Sequence, residues 1–566
     1  MQKRWIPKEI PTIEAIDALR EQVAVSDILL KLMLQRGINT ISVAQSYFNP
    51  EISQLHDPFL MKGMDLAIQR INKAINQGEK ILIYGDYDVD GTTAVATVYS
   101  FFSGFYENVL FYIPDRFKEG YGVSFQSLDW AKEQDITLVI TLDCGIKSIA
   151  QVDAAAANHI DFIICDHHTP GEELPKALAI LNPKQADCNY PFKELSGCGI
   201  GFKLIDAYAR AFQIPVDVND YLDLVVVSIA SDIVPIVGEN RILAYFGLKR
   251  INEHPRAGIK ALIDLTGASK NMNINDLVFK LGPRINAAGR IASGTAAVEM
   301  LIESSDEIAI EKASAVNKNN TDRQGVDLII TKEALEMINI DPELQDRKTT
   351  VLYNKDWHKG VIGIVASRLI DKYYRPTILL TESNGMAVGS ARSVPGFNLY
   401  EAIESCAHLL DQWGGHQAAA GLSLEIDKID EFSLAFETAV DTLITDELLT
   451  PIIEFDLEIP FSIITLSFCK TLERFGPFGP ENMKPVFVTK KVKNMYRPKI
   501  VGNNHVQLQL TSDEAGTYFK AIAFGFGEIF EDLCKARYFD ICYTIEPNEY
   551  GGNYSLNLNI KDIKLS

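Results

Sequence analysis

Five short apolar runs lie between residues 80 and 183: KILIYG (80–85), VLFYIP (109–114), ITLVITLD (136–143), DFIICD (161–166) and ALAILNP (177–183). Helix-like stretches separate most of them, a βαβ rhythm that implies a largely parallel, doubly wound α/β sheet. In such sheets the working side chains sit just beyond the carboxyl ends of the strands. That rule picks out the DYDVDG loop with Asp86, Asp88 and Asp90, then Asp143 at the end of the third run, and Asp166, His167 and His168 after the fourth.

The rest of the chain is organised around this sheet. Its 566 residues correspond to three or four domains at roughly 150 residues each. Residues 1–75 carry helical periodicity and are expected to pack on the catalytic domain, 76–302. Residues 303–345 are expected to form a long connecting helix. A second, smaller α/β unit spans 346–454. From 455 to 566 short alternating strands separated by turns predict a C-terminal barrel of the OB type.

Three carboxylates in DYDVDG also open an EF-hand loop, but the twelfth position is Thr97 instead of a bidentate Glu, and a strand precedes it instead of a helix. Each aspartate alone could be a turn or helix-cap residue. Gathered at one sheet edge, they repel one another and need a divalent cation. Oxygen and imidazole donors without thiolate suit Mn²⁺ or Mg²⁺ better than structural zinc. No P-loop and no G-x-S-x-G elbow occurs, so neither nucleotide binding through a P-loop nor a serine nucleophile on such an elbow is supported. GCGIG (197–201) follows no clear strand and reads as the loop leading into a helix. Eight cysteines without a C-x-x-C pair, and no apolar stretch near the ~20 residues of a bilayer span, predict a cytoplasmic protein with free thiols.

These motifs, in this order, resemble the DHH phosphoesterase superfamily, in its branch of single-strand-specific 5′→3′ exonucleases. GDYDVDGTTA, YIPDRFKEGYG, TLDCG, CDHH, SIASDIVPIVGENR, LGPRINAAGR and NNTDRQ resemble the catalytic half. DWHKGVIGIVASRL, GSARSV and GGHQAAAG resemble the DHH-associated domain, and FGPFGPEN (475–482) resembles the segment leading into the OB domain. The resemblance implies two divalent cations, manganese first and magnesium as the alternative, bridged by Asp143. Asp88 and Asp90 would each hold one, and His167 and Asp232 would complete one site. Asp86 would be a ligand or support one, Asp166 would orient the imidazoles, and His168 would face the scissile phosphate. Arg116, Ser390 and Arg392 resemble a pocket for a 5′ phosphate, with Arg284, Asn286, Arg290 and His416 as further substrate contacts.

The implied substrate is single-stranded DNA with a 5′ end, degraded to 5′-mononucleotides in recombination and repair. A single-strand-binding protein and a helicase are candidate partners, no membrane is involved, and the chain is expected to act as a monomer. Two rivals belong beside this: a DHH phosphodiesterase for short oligonucleotides or cyclic dinucleotides, and a catalytically inactive DHH scaffold at the replication fork.

The formal charge of −21 disfavours a generic nucleic-acid coat, since phosphate binding relies on basic surface. The charge is segregated, however. Residues 425–458 hold eleven acids and one base, Lys428, whereas 484–499 hold Lys484, Lys490, Lys491, Lys493, Arg497 and Lys499 with no acid. Phe487 and Tyr496 lie among these bases, a pattern expected to track phosphates and stack bases of a single strand.

Overall fold

The chain opens with a short strand, β1 (Arg4–Pro7), and four helices at Ile13–Arg20, Asp27–Leu34, Ile41–Phe48 and Met64–Gln77 precede the central sheet. That sheet contains β2 (Lys80–Gly85), β3 (Val109–Tyr112), β4 (Ile136–Leu142), β5 (Asp161–Cys165) and β6 (Ala179–Leu181). All pairings are parallel and the order is β3-β2-β4-β5-β6. This is a computed structural model and describes residues 3–116, 118–267, 271–291, 293–513, 516–550 and 553–565.

The apolar runs become central strands because both faces are covered. On one face lie the helices Met64–Gln77, Val89–Ser103 and Gly197–Phe212, sharing a core with Ile81, Ile83, Leu138 and Ile140. On the other, Leu128 and Ala131 of helix Phe125–Glu133 and Val152 and Ala155 of helix Ile149–Ala157 cover Leu82, Val139 and Phe162.

Helix Asp306–Ile340 runs from this domain to the next. There β7 (Thr350–Tyr353), β8 (Thr377–Ser383), β9 (Met386–Arg392), β10 (Gln412–His416) and β11 (Ala419–Leu424) form a sheet in the order β10-β11-β9-β8-β7. Only β7 and β8 pair in parallel; the other pairings are antiparallel.

Beyond β12 (Ile452–Phe455), the strands β13 (Leu457–Glu458), β14 (Phe487–Asn494), β15 (Lys499–Val501), β16 (His505–Thr511), β17 (Tyr518–Phe524), β18 (Phe539–Tyr550) and β19 (Asn553–Leu565) make a seven-stranded sheet. A further β14–β16 pairing closes it on itself, as a barrel requires.

The amino-terminal segment departs from expectation. Its last part, with Met61, Met64, Ala67, Ile68 and Ile71, packs on the catalytic domain, and Tyr47 touches it at Arg241. Ile16, Leu19, Leu29, Leu30, Leu32 and Met33 share a core with the barrel residues Phe487, Val492 and Tyr543 instead. β1 pairs in parallel with β12. Each such side chain gains about 1.5–3 kcal/mol from burial, and the barrel offers the apolar surface that the already covered central sheet does not. Among the described residues no helix is long and apolar enough to cross a membrane. All eight cysteines are free and seven are buried.

Candidate metal centre and phosphate cavity

Because β2, β4 and β5 are adjacent and parallel, the residues that follow them converge. Asp88 caps helix Val89–Ser103, its carboxylate accepting from the Gly91 N–H at 3.0 Å. Asp90, two residues on in the first turn, is held by donors from two other helices. Gly197 and Cys198 N–H groups reach it at 2.7 and 2.8 Å and the Ser228 hydroxyl at 2.7 Å. GCGIG is therefore the first turn of helix Gly197–Phe212 and orients a carboxylate, a correction to its reading as a loop. Asp143 adopts φ 60° directly after β4, which turns its side chain back over the sheet edge. Asp232 is the C-terminal cap of helix Leu222–Ser231.

These groups fall into overlapping sets. Asp90, His167 and Asp232 offer ligand atoms within 4.8 Å of one another, as do Asp86, Asp88 and Asp143, and Asp143, His167 and His168. Around His167 Nε2 stand carboxylate oxygens of Asp143 at 3.1 Å, Asp232 at 3.5 Å and Asp90 at 3.7 Å. Asp86 thus groups with Asp88 and Asp143.

The electrostatics describe a site short of positive charge. Asp143 is pushed well above the carboxylate range by burial and then by Asp90, Asp88, Asp232 and Asp86. Burial and Asp90 carry Asp232 up to about 9, and burial with Asp88 raises Asp86. Burial holds His167 below the ordinary imidazole value, which favours the neutral, ligating form. Asp86 Oδ1 and Asp143 Oδ1 are buried and accept no hydrogen bond. Buried acceptors without donors, around an imidazole nitrogen, fit divalent cations.

Asp166 differs. Burial opposes its ionisation, but the His168 ring at 2.7 Å and the N–H groups of His168 and Ile146 outweigh it and hold the carboxyl low. It fixes His168, whose Nε2 lies 3.2 Å from the Tyr121 hydroxyl.

Tyr121 also borders a cavity of about 540 Å³ between the two α/β domains, lined by Arg116, Arg290, Lys359, Ser390, Arg392 and His416 among others. Arg116 stacks its guanidinium 5.0 Å over the Tyr87 ring, between Asp86 and Asp88. Arg392 donates to Ser390 Oγ at 2.9 Å, and Arg290 to the Gly360 carbonyl at 3.1 Å. Burial, then Arg116, Arg392 and Arg323, push Arg290 down to about 10. Burial and Arg116 lower Arg392 as well. A Cβ at Gly363 would stand 2.8 Å from both Arg392 Nη2 and Ser390 Oγ, so glycine keeps the cavity open.

Two of the proposed substrate residues lie elsewhere. Arg284 donates to Asn317 Oδ1 at 2.8 Å and to the Lys280 carbonyl at 2.6 Å, pinning its helix to the long connector. Asn286, half-buried on the same helix, does not line the cavity. Tyr121 and Lys359 were not singled out, although the YIPDRFKEGYG and DWHKG motifs contain them.

In the barrel, Phe487 is fully buried and cannot stack on a base. Lys484, Lys490 and Lys493 are paired with Glu546, Glu458 and Asp513. Lys491, Tyr496, Arg497 and Lys499 are exposed.

Comparison with known proteins agrees with this layout. Residues 80–229 match the DHH family, N-terminal domain, residues 346–442 the DHHA1 domain, and residues 455–562 the RecJ OB domain. The single-stranded-DNA-specific exonuclease RecJ of Bacillus subtilis is 37% identical, over 98% of this chain and 70% of that protein. The RecJ of Dickeya dadantii is 32% identical, over 95% and 96% respectively. The crystal structure of Thermus thermophilus RecJ in complex with Mn²⁺ superposes with a TM-score of 0.85 at 24% identity, covering 100% of this chain and 80% of that one. The chain belongs to the RecJ family of single-stranded-DNA-specific exonucleases.

Proposed function

We infer that this protein is a two-metal exonuclease that degrades single-stranded DNA from its 5′ end to 5′-mononucleotides. The observation that carries the polarity is the arginine-lined cavity abutting the acidic edge through Tyr121 and His168. Arg116, Arg290 and Arg392 would grip the terminal phosphate, because a guanidinium donates two parallel hydrogen bonds to a dianionic group. Ser390 holds Arg392 in place, and His416 and Lys359 close the cavity rim. The next phosphate then lies over the acidic edge.

Asp90, His167 and Asp232 would hold one cation, Asp86 and Asp88 the other, with Asp143 between them; manganese is the first choice and magnesium the second. When bound, such a pair polarises the phosphate and activates water for in-line attack. Burial opposes it, but the hydrogen bond and charge of Asp166 raise His168 above the ordinary imidazole value, so the charged ring would donate Nδ1–H to Asp166 and turn Nε2–H outward to stabilise charge developing on the phosphoryl oxygens. Asp166 serves by fixing that ring. Expulsion of the 3′ oxygen releases the terminal nucleotide. The complete donor set argues against an inactive scaffold, and the barrel argues against the shorter oligonucleotide phosphodiesterases.

On the barrel, Tyr496 would stack a base while Lys491, Arg497 and Lys499, with Lys493 more weakly, follow the backbone. The setting is cytoplasmic recombination and repair, as a monomer, with a single-strand-binding protein and a helicase as partners. Labelled single- and double-stranded oligonucleotides, bearing 5′ phosphate or 5′ hydroxyl, incubated with and without Mn²⁺, test the whole assignment. Metal-dependent release of mononucleotides from single strands is expected. Internal cleavage, or equal attack on duplex ends, would overturn it.

A further inference from the structure

The FGPFGPEN segment leads into the barrel, yet it also engages the loop that follows Asp232. The Ile236 N–H donates to the Pro480 carbonyl at 2.8 Å, and Ile236 is fully buried. A Cβ on Gly479 would stand 2.5 Å from Ile236 Cγ1, so the segment's backbone lies against the Ile236 side chain. Residues 479–482 form a tight turn closed by reciprocal Gly479 and Asn482 backbone hydrogen bonds of 3.1 and 2.9 Å.

A polar knot locks that turn. Asn482, 2% exposed, donates to the Phe475 and Pro477 carbonyls at 2.9 and 2.8 Å and accepts from the Tyr47 hydroxyl at 3.0 Å. Arg241, on the helix that the Asp232 loop leads into, donates to the Gly476 carbonyl at 2.6 Å and the Tyr47 carbonyl at 2.7 Å. Its guanidinium sits 3.6 Å over the Tyr47 ring. Asn240 braces the same loop by donating to the Pro235 carbonyl at 3.1 Å. Asp232 itself is partly exposed, and among the described residues it receives no hydrogen bond comparable to those on Asp90, the His167 ring nitrogen standing 3.5 Å away. Its position follows its backbone, which is anchored on one side by the helix through the Ser228 carbonyl at 2.9 Å and continues on the other into the loop held at Ile236 by the segment leading into the barrel.

We propose that Asn482 and Gly479 are positioning residues for the cation held by Asp90, His167 and Asp232: the segment leading into the barrel sets the Asp232 loop, so that this site is complete only when that segment is docked. The inference rests on Asp232 being a ligand. Groups that hold a ligand in place change metal affinity by about 10- to 100-fold when removed.

The experiment measures Mn²⁺ binding to the full chain without DNA, by calorimetry and by the electron spin resonance signal of free Mn²⁺. It compares wild type with Asp232→Asn, Asn482→Ala, Gly479→Ala and Thr489→Val. Thr489 bonds to the Ile459 carbonyl and Tyr543 inside the barrel, and its replacement weakens the barrel away from the loop. Wild type should bind two Mn²⁺. Asn482→Ala and Gly479→Ala should each weaken one of them by roughly 10-fold, recoverable at higher Mn²⁺, while Thr489→Val keeps both affinities. If Asp232→Asn retains both ions at wild-type affinity, the ligand assignment itself fails. If Asp232→Asn loses one ion but Asn482→Ala and Gly479→Ala bind as wild type, the coupling fails. It fails equally if Thr489→Val weakens the same site, since general loosening of the barrel would then suffice.

Discussion

Two groups of like charge face each other across Tyr121, and the protein neutralises neither. At the sheet edge, Asp86 and Asp143 each keep a buried oxygen without a donor, and Asp88 and Asp232 add their charge against Asp143. In the cavity, burial and neighbouring guanidinium groups disfavour the charged forms of Arg290 and Arg392, which donate to the Gly360 carbonyl and the Ser390 hydroxyl. They differ in how they are built. Every acid comes from one domain, chiefly from neighbouring strand ends of a rigid parallel sheet. The cavity is assembled from two, with Arg116 and Arg290 on one side and Ser390, Arg392 and His416 on the other. Cation binding is thus local to the catalytic domain and its braced loop. Recognition of the DNA end depends on how the DHH-associated domain sits.

The comparison breaks first at Asp143, which touches both cation sets. Asp143→Asn should lower the rate of single-strand degradation by roughly three orders of magnitude or more, since a catalytic cation supplies several kcal/mol of stabilisation. Binding of a 5′-phosphorylated strand should remain within a few fold, because the cavity is untouched. The same substitution removes a repelled charge, so the metal-free variant should melt higher than the metal-free wild type. A variant that degrades single strands at near the wild-type rate would sink the bridging role.

The next effect concerns the whole acidic edge. Asp143 and Asp232 have folded-state pKa values above those of the unfolded chain, Asp232 at about 9. Groups raised in this way contribute stability below the unfolded value near 4, and that stability is lost as pH rises towards the folded value. The chelated protein should therefore lose stability between about pH 4 and pH 9. Mn²⁺ should abolish the decline and add about 2.7 kcal/mol per site at a hundredfold excess over Kd. Thermal melts across pH, with chelator or with Mn²⁺, check this; a flat profile under chelation would show that the acids are not in conflict.

Much of this architecture was legible in the chain. The five apolar runs became β2 to β6, and acids at their ends converged because parallel strands present the same end to the same edge. What could not be read was contact at a distance. Helices Ile13–Arg20 and Asp27–Leu34 have clear apolar faces, but nothing local says that those faces meet the barrel. The pairing of Lys493 with Asp513 joins a strand residue to one 20 positions on, in the turn after β16, and Phe487 was hidden because burial of one residue in an alternating strand depends on which face turns inward. Arg284 and Arg290 share a helix and a motif, yet only Arg290 reaches the cavity.

The two-domain cavity gives a smaller, more selective effect. Arg392→Ala should reduce the preference for 5′-phosphorylated over 5′-hydroxyl ends by roughly 10- to 100-fold, the 1.5–3 kcal/mol of a hydrogen bond to a charged group. Mn²⁺ affinity should not change, because no acid of the edge contacts Arg392. Undiminished discrimination in the variant would move end recognition out of this cavity.

The weakest effects separate bases that look equivalent in the chain. Lys493 is engaged by Asp513, whereas Lys491 is exposed and forms no ion pair among the described residues. A lysine that neutralises a DNA phosphate releases a counterion, so losing it flattens the dependence of log K on log salt by about 0.7 for a single strand. Lys491→Ala should show that flattening and bind two- to threefold more weakly at moderate salt, on the order of the 0.5 kcal/mol of a surface contact. Lys493→Ala should change the slope little, since its charge is already offset within the barrel and Asp513 is freed when it goes. Should both variants lose the same slope, the Asp513 pair opens when DNA arrives, and the barrel's paired lysines would count as binding surface after all.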